Sequence, residues 1–193
     1  TEAEIDVHVK RILMAKHGAG LAAYQPIATA GLFDDLNDRF TDVITSLIYD
    51  KAVTVLVNQD RILPLGVNTN QSISVVNMGS QVTGELHKAV NLYTQADEHH
   101  FTGSNATAVL RSVAQSDLVI LGYHTDNANP WRRYKMNDSE KSFLQRLLLQ
   151  NKVLLVHFAN PYGLKEAGDI HEIEAVIQAY QNTPDVARAV AQV

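Results

Sequence analysis

Three short runs decide how this chain folds: Ser72–Gly79 (SISVVNMG), Asp117–Tyr123 (DLVILGY) and Lys152–Phe158 (KVLLVHF). Each is nearly continuous in Val, Ile and Leu, as strands buried on both faces of a parallel sheet are. A strand wetted on one face would alternate polar and apolar residues instead. Helical patterns lie between the runs. One places Ala106, Val109, Leu110 and Val113 on a single face behind Ser104 as a candidate cap; another places Phe143, Leu144, Leu147 and Leu148 behind Asn137 or Asp138. Strands alternating with such helices predict an α/β fold, a three-layer α/β/α sandwich around a mainly parallel sheet of about five or six strands. The strands are expected near 73–78, 118–122 and 153–158, with VNLYTQ at 90–95 as a further candidate.

Towards the N-terminus, Ile5, Val9, Ile12 and Leu13 form a stripe at helical spacing that stops at Gly18 and Gly20. Residues 18–38 are rich in Gly and Ala and read as a linker lying on a surface. A second stripe, from Ile44 and Leu47 to Val55 and Leu56, predicts a helix over 40–57, although Val53, Val55 and Val57 also suit a strand. The chain opens without Met and closes on the apolar-rich DVARAVAQV with no helix stop, so both ends read as cut from a longer protein.

Composition narrows the functions. The 193 residues are 46% apolar and 19% charged, enough for a packed core. Sixteen basic and twenty-one acidic residues give a net charge of -5, unlike the basic face of a nucleic-acid binder. No apolar run approaches the ~20 residues that span a membrane. Cysteine is absent, which removes disulfides and thiolate chemistry.

Catalytic motifs are missing as well. The strand SISVVNMG is followed by SQVTGEL, without the GxGxxG of a dinucleotide site, and neither a Walker motif nor GxSxG occurs. The pair His99–His100 lacks the further ligands that zinc requires, and His157 sits inside a strand, where a hydrogen-bonded core histidine is the simpler reading. No metal or cofactor is expected. Two loops remain. Residues 124–134, HTDNANPWRRY, follow a strand at its carboxyl end, where open α/β sheets bind ligands. His124, Asp126, Trp131, Arg132, Arg133 and Tyr134 are its candidate contacts to a sugar or to another domain. In FANPYGL, 158–164, Asn160 and Pro161 set a tight turn.

These segments together resemble glycoside hydrolase family 3, in its β-N-acetylglucosaminidase branch. VHVKRILMAKHGAGL resembles the last helix of that family's catalytic barrel, and YDKAVTVLVNQDRILPLG resembles the segment that opens its second domain. SISVVNMGS, DLVILGY and HFANPYGL resemble three successive strands of that domain, and VIQAYQNTPDVARAVAQV its Q-A-Y-x-N-T strand and following helix. The resemblance therefore implies a strand at 175–180, where Ile170, Ile173, Val176 and Tyr180 alone would suggest a helix over 169–180. It implies that 1–38 are the barrel's terminal helix plus linker, packing loosely without the barrel, and that 39–193 are an α/β sandwich.

The activity so implied is hydrolysis of terminal β-linked sugars in cell-wall or glycan breakdown; enzymes of this branch are either cytosolic or exported, and the absence of cysteine together with the second domain makes a periplasmic or secreted bacterial enzyme the expectation. The partners would be the chain's own N-terminal (β/α)8 barrel and a carbohydrate. The family's nucleophile and the branch's Asp–His acid/base pair lie on the barrel and have no counterpart here. The Glu that serves as acid/base in the β-glucosidase branch would fall within 124–136, which contains no Glu. An inactive accessory domain is thus expected, the alternative being a free-standing carbohydrate- or protein-binding module.

Overall fold

The computed structural model describes residues 1–66, 70–125, 131 and 134–193, in two compact units, Thr1–Thr41 and Asp42–Val193. The first holds α1 (Glu2–Gly18), a 3-10 turn at Leu21–Ala23 and the short α2 (Leu32–Leu36). Thr1 and Glu4 form a capping box at the start of α1, and the left-handed Gly20 follows its end. Ile5, Val9, Ile12 and Leu13, the stripe read from the sequence, are all exposed.

The helix α3 (Arg39–Ala52) leads into the second unit, whose sheet comprises β1 (Thr54–Asn58), β2 (Ile73–Gly79), β3 (Ala96–His100), β4 (Leu118–His124), β5 (Val153–Phe158) and β6 (Ala175–Gln178). Their order is β1-β6-β5-β4-β2-β3. All neighbours run parallel except β1, which is antiparallel to β6 and bulged between Val55 and Val57. The helices of this unit after α3 are α4 (Glu85–Val90), α5 (Ala106–Ser112), α6 (Asp138–Leu148) and α7 (Pro184–Ala191).

The apolar strand runs explain the layering. Every residue of β4 and β5 is buried, so alternate side chains must be covered from opposite sides. Val119, Leu121, Val153 and Leu155 pack with Val109 of α5, with Val113 at its C-terminal cap and with Phe143, Leu144 and Leu147 of α6. Phe101 stacks on Phe143 at 4.3 Å. Ile120, Leu154, Val156 and Ile177 pack on the other face with Leu86 and Val90 of α4 and Val186 and Val190 of α7. The result is one mixed, mostly parallel six-stranded sheet between helices, the α/β architecture expected.

Several local expectations change. The helix over 40–57 ends at Ala52, and the valines beyond it go to β1, because β-branched residues lose less in a strand. VNLYTQ is not a strand: residues 90–94 turn out of α4, the Asn91 side chain accepts from the Ala96 amide at 3.1 Å, and the strand begins there. Its sequence, ADEHH, is polar because β3 is an edge strand. Asn105 rather than Ser104 precedes α5, whereas Asn137 caps α6 in a complete capping box with Glu140. Residues 169–180 form a 3-10 turn at Ile170–Glu172 and then β6, not one helix.

Truncating this core should be costly where both faces are sealed. Leu121→Ala is expected to lose about 2–5 kcal/mol of unfolding free energy. The same truncation at Leu149, which is 88% exposed, should change it by less than about 0.5 kcal/mol. Urea unfolding of both variants measures the difference, and equal losses would contradict the burial described.

Candidate functional site

Apart from Ser74 near the start of β2, the buried polar side chains of the sheet gather at the carboxyl ends of β2, β4, β5 and β6. Two rows cross this edge, one on each face. On the α4/α7 face, the His124 ring lies between two asparagines, Nδ1 at 2.9 Å from Asn182 Oδ1 and Nε2 at 3.0 Å from Asn77 Oδ1. Asn77 Nδ2 donates to Glu98 Oε1 at 3.1 Å, and Asn182 Nδ2 donates to the Gln81 carbonyl. His87 of α4 and His100 of β3 each approach the Glu98 carboxylate at 3.4 Å. The His124 ring also stacks on Phe158 at 4.6 Å.

Two glycines make this row possible. Gly122 lies opposite Asn77 in the register, and the His124 ring occupies the space that its missing side chain leaves. A Cβ there would meet His124 Nε2 at 2.7 Å and Asn77 Oδ1 at 2.9 Å. Gly79 has φ +114°, and a Cβ on it would fall 1.9 Å from the His124 carbonyl oxygen. Only glycine permits β2 and β4 to close at this end.

On the α5/α6 face, Tyr123, His157 and Gln178 stand side by side on β4, β5 and β6. Gln178 Nε2 donates to the Ala159 carbonyl, which turns its Oε1 to His157 Nδ1 at 3.0 Å. His157 therefore carries its proton on Nδ1, and Nε2, fully buried, has no partner among the described residues. Burial pushes its imidazole down to about 4, against the hydrogen bond that it donates to Gln178. Burial likewise pushes the Tyr123 phenol up and the His124 imidazole down to about 4.

The candidate contacts fall into three groups. His124 is buried within the row just described. Trp131 is 90% exposed, and Tyr134, at φ 55°, presses its carbonyl towards Gly163, where a Cβ would lie 2.7 Å away. Asp126, Arg132 and Arg133 lie outside the described residues. The far foot of the loop is anchored by buried Met136 and by Lys135, 3.5 Å from Glu166, which Lys141 also pairs. The turn at 160–163 is held by Asn160, whose side chain accepts from the Tyr162 amide at 3.1 Å. Among the described residues, no three His, Asp or Glu side chains are grouped to hold a metal ion. Sequence reasoning missed Asn77, Glu98, Gln178 and Asn182; a polar residue interrupting an apolar run is the signal that marks Asn77.

The His157 geometry sets a pH dependence. Its folded-state value lies below the ordinary 6.5, so the unfolded chain binds the proton more tightly. The stabilisation is complete above 6.5 and is lost as pH falls towards about 4. His157→Gln should lower stability at neutral pH yet flatten the acid limb by up to about 1.4 kcal/mol per pH unit. Urea midpoints taken across this window would show parallel curves if the histidine were not buried neutral.

No protein-family model matches this sequence, and no curated protein matches it. Solved structures share its fold. A fungal multi-domain GH3 β-N-acetylglucosaminidase matches at TM-score 0.63 and 16% identity, over 87% of this chain and 19% of that one. The β-glucosidase of Listeria innocua with isofagomine matches at 0.68 and 14%, over 94% and 29%. The β-glucoside phosphorylase BglX matches at 0.65 and 18%, over 100% and 36%. The chain thus spans between 19% and 36% of the length of these proteins, and what it shares with them is the fold of one region of a larger enzyme chain.

Proposed function

We propose that this chain is the second, C-terminal domain of a glycoside hydrolase family 3 enzyme of the β-N-acetylglucosaminidase type. Residues 1–38 would be the last helix of its (β/α)8 barrel and the connection, and 39–193 the accessory sandwich. The observation that carries this reading is the lopsided coverage. Nearly all of this chain superposes on a minor part of larger proteins, which are named as a β-N-acetylglucosaminidase, a β-glucosidase and a β-glucoside phosphorylase. The parent enzyme would hydrolyse terminal β-linked sugars, with the barrel as this domain's partner. No helix among the described residues is long and apolar enough to cross a membrane.

The chemistry of the carboxyl edge supports an accessory role. Retaining glycosidases need two carboxyl groups about 5 Å apart with the sugar between them. Here Glu98 is engaged by Asn77, His87 and His100, and Glu166 by Lys135 and Lys141. The purified chain should therefore release aryl alcohol from an aryl β-N-acetylglucosaminide no faster than buffer. Turnover that survives repurification, and that one Asp or Glu substitution in this chain abolishes, would overturn the reading.

In the parent enzyme the loop 124–134 would face the barrel rim. Trp131 offers a flat apolar surface to a sugar ring or a neighbouring domain, and Arg133 offers a fork for carboxylates. Trp131→Ala with Arg133→Ala in the full-length enzyme should raise KM about fivefold to tenfold with kcat retained, the loss of one stacked ring being worth about 1 kcal/mol. Unchanged KM, kcat and Tm would reduce the loop to a solvated connection.

A further inference from the structure

Two acceptors meet at Gly163, and the first of them is His157. Its Nδ1 lies 3.0 Å from Gln178 Oε1, whereas its Nε2 is fully buried and has no partner among the described residues. A proton moved to Nε2 would leave Nδ1 bare and require Gln178 to turn its NH2 towards it. Gln178 is only 1% exposed, and its nitrogen lies 2.6 Å from the Ala159 carbonyl and 3.4 Å from the His157 carbonyl, both of which only accept. Turning the amide would set oxygen against oxygen in the interior. A second proton is opposed by the burial that holds the imidazole down to about 4. Nε2 is therefore a bare lone pair, and a buried acceptor left unpaired carries the full cost of its lost hydration.

The second acceptor is the carbonyl of Tyr134, at the far foot of the loop after β4. Gly163 is buried in the 3-10 turn Pro161–Ala167, and a Cβ on it would lie 2.7 Å from the Tyr134 carbonyl oxygen and 3.1 Å from His157 Nε2. One point beside this glycine is thus within hydrogen-bond reach of both acceptors. No backbone amide among the described residues donates to that carbonyl. Neither acceptor carries a charge, so an ion would gain nothing to offset its desolvation. What the pair calls for is one small neutral molecule with two donor hydrogens, which is the chemistry of water.

We propose that His157 Nε2 and the Tyr134 carbonyl hold one buried water between them, which donates one O–H to each, and that this water pins the loop after β4 to β5. Glycine at 163 is then required, because any side chain there would enter the space between the two acceptors. Tyr134 has φ 55°, a left-handed backbone that a tyrosine seldom adopts, and the bridge adds a bond that holds it there. Tyr123 of β4 stacks on the His157 ring at 5.6 Å, and Gln178 of β6 bonds its other nitrogen, so the ring is fixed in the orientation that presents Nε2. The site lies within this chain and is independent of the enzyme proposed above.

Water-to-protein Overhauser spectra of the wild-type chain near neutral pH read the site. The His157 ring protons should show cross-peaks to water with opposite signs in the laboratory and rotating frames, the mark of a water that stays bound while the protein tumbles. Nitrogen chemical shifts of the ring should place its proton on Nδ1 and leave Nε2 bare. Tyr123→Phe removes the hydroxyl of the ring stacked on His157, and the cross-peak should persist, which separates bound water from exchange through the phenol. Gly163→Ala should abolish it, because the new methyl group takes the water's place. The proposal is overturned if the wild-type ring shows no long-lived water or carries its proton on Nε2. It is equally overturned if Tyr123→Phe removes the cross-peak or if the cross-peak survives Gly163→Ala. The wild-type and Tyr123→Phe spectra decide it even where Gly163→Ala does not fold.

Discussion

The sealing of β4 and β5 on both faces is the constraint from which the rest of the molecule follows. Neither strand has a wet side, so an uncompensated polar group anywhere along them would carry its full desolvation cost. On these two strands polar side chains lie only at the carboxyl ends, where they hydrogen-bond to neighbours, His157 Nε2 alone having no partner among the described residues. The two rows, His124 with its asparagines and His157 with Gln178, are the form these bonds take. Each lies on the face set by strand alternation, so a single carboxyl edge acquires two separate polar systems.

Close approach then makes that edge rigid. The contact of Gly79 with the His124 carbonyl, and the space left at Gly122, tie β2 to β4 more tightly than ladder hydrogen bonds alone require. Met136, the Lys135–Glu166 pair and the Tyr134–Gly163 approach fix the far end of the loop that begins at His124. Trp131, which this loop carries, is exposed.

How much of this was legible in the sequence differs with the physics of each part. The three apolar runs were, because burial on both faces leaves no other composition possible. The polar β3 was not: an edge strand is held by backbone pairing to β2, which ADEHH does not display. The boundary at Ala52 was hidden because Val53 to Val57 continue a helical stripe and suit a strand equally. At the site, His124 and His157 stood out within apolar runs, but their partners did not. Asn77 meets His124 because β2 neighbours β4, and Gln178 meets His157 because β6 neighbours β5. Strand order across a sheet is a tertiary fact, and no spacing along the chain encodes it.

The surfaces of the molecule are then of two chemical kinds. At the carboxyl edge, the buried polar groups are turned inward, and their hydrogen-bonding capacity is largely consumed within the rows. Tyr49 of α3 and Val53 just after it pack against the core, while Phe40, Ile44, Leu47 and Ile48 remain exposed, and α1 exposes an apolar stripe of its own. Contiguous exposed apolar side chains are unusual on a finished surface and mark places where another surface belongs. If the domain supports chemistry performed by a partner, as proposed above, these uncovered stripes are the surfaces through which it would make contact.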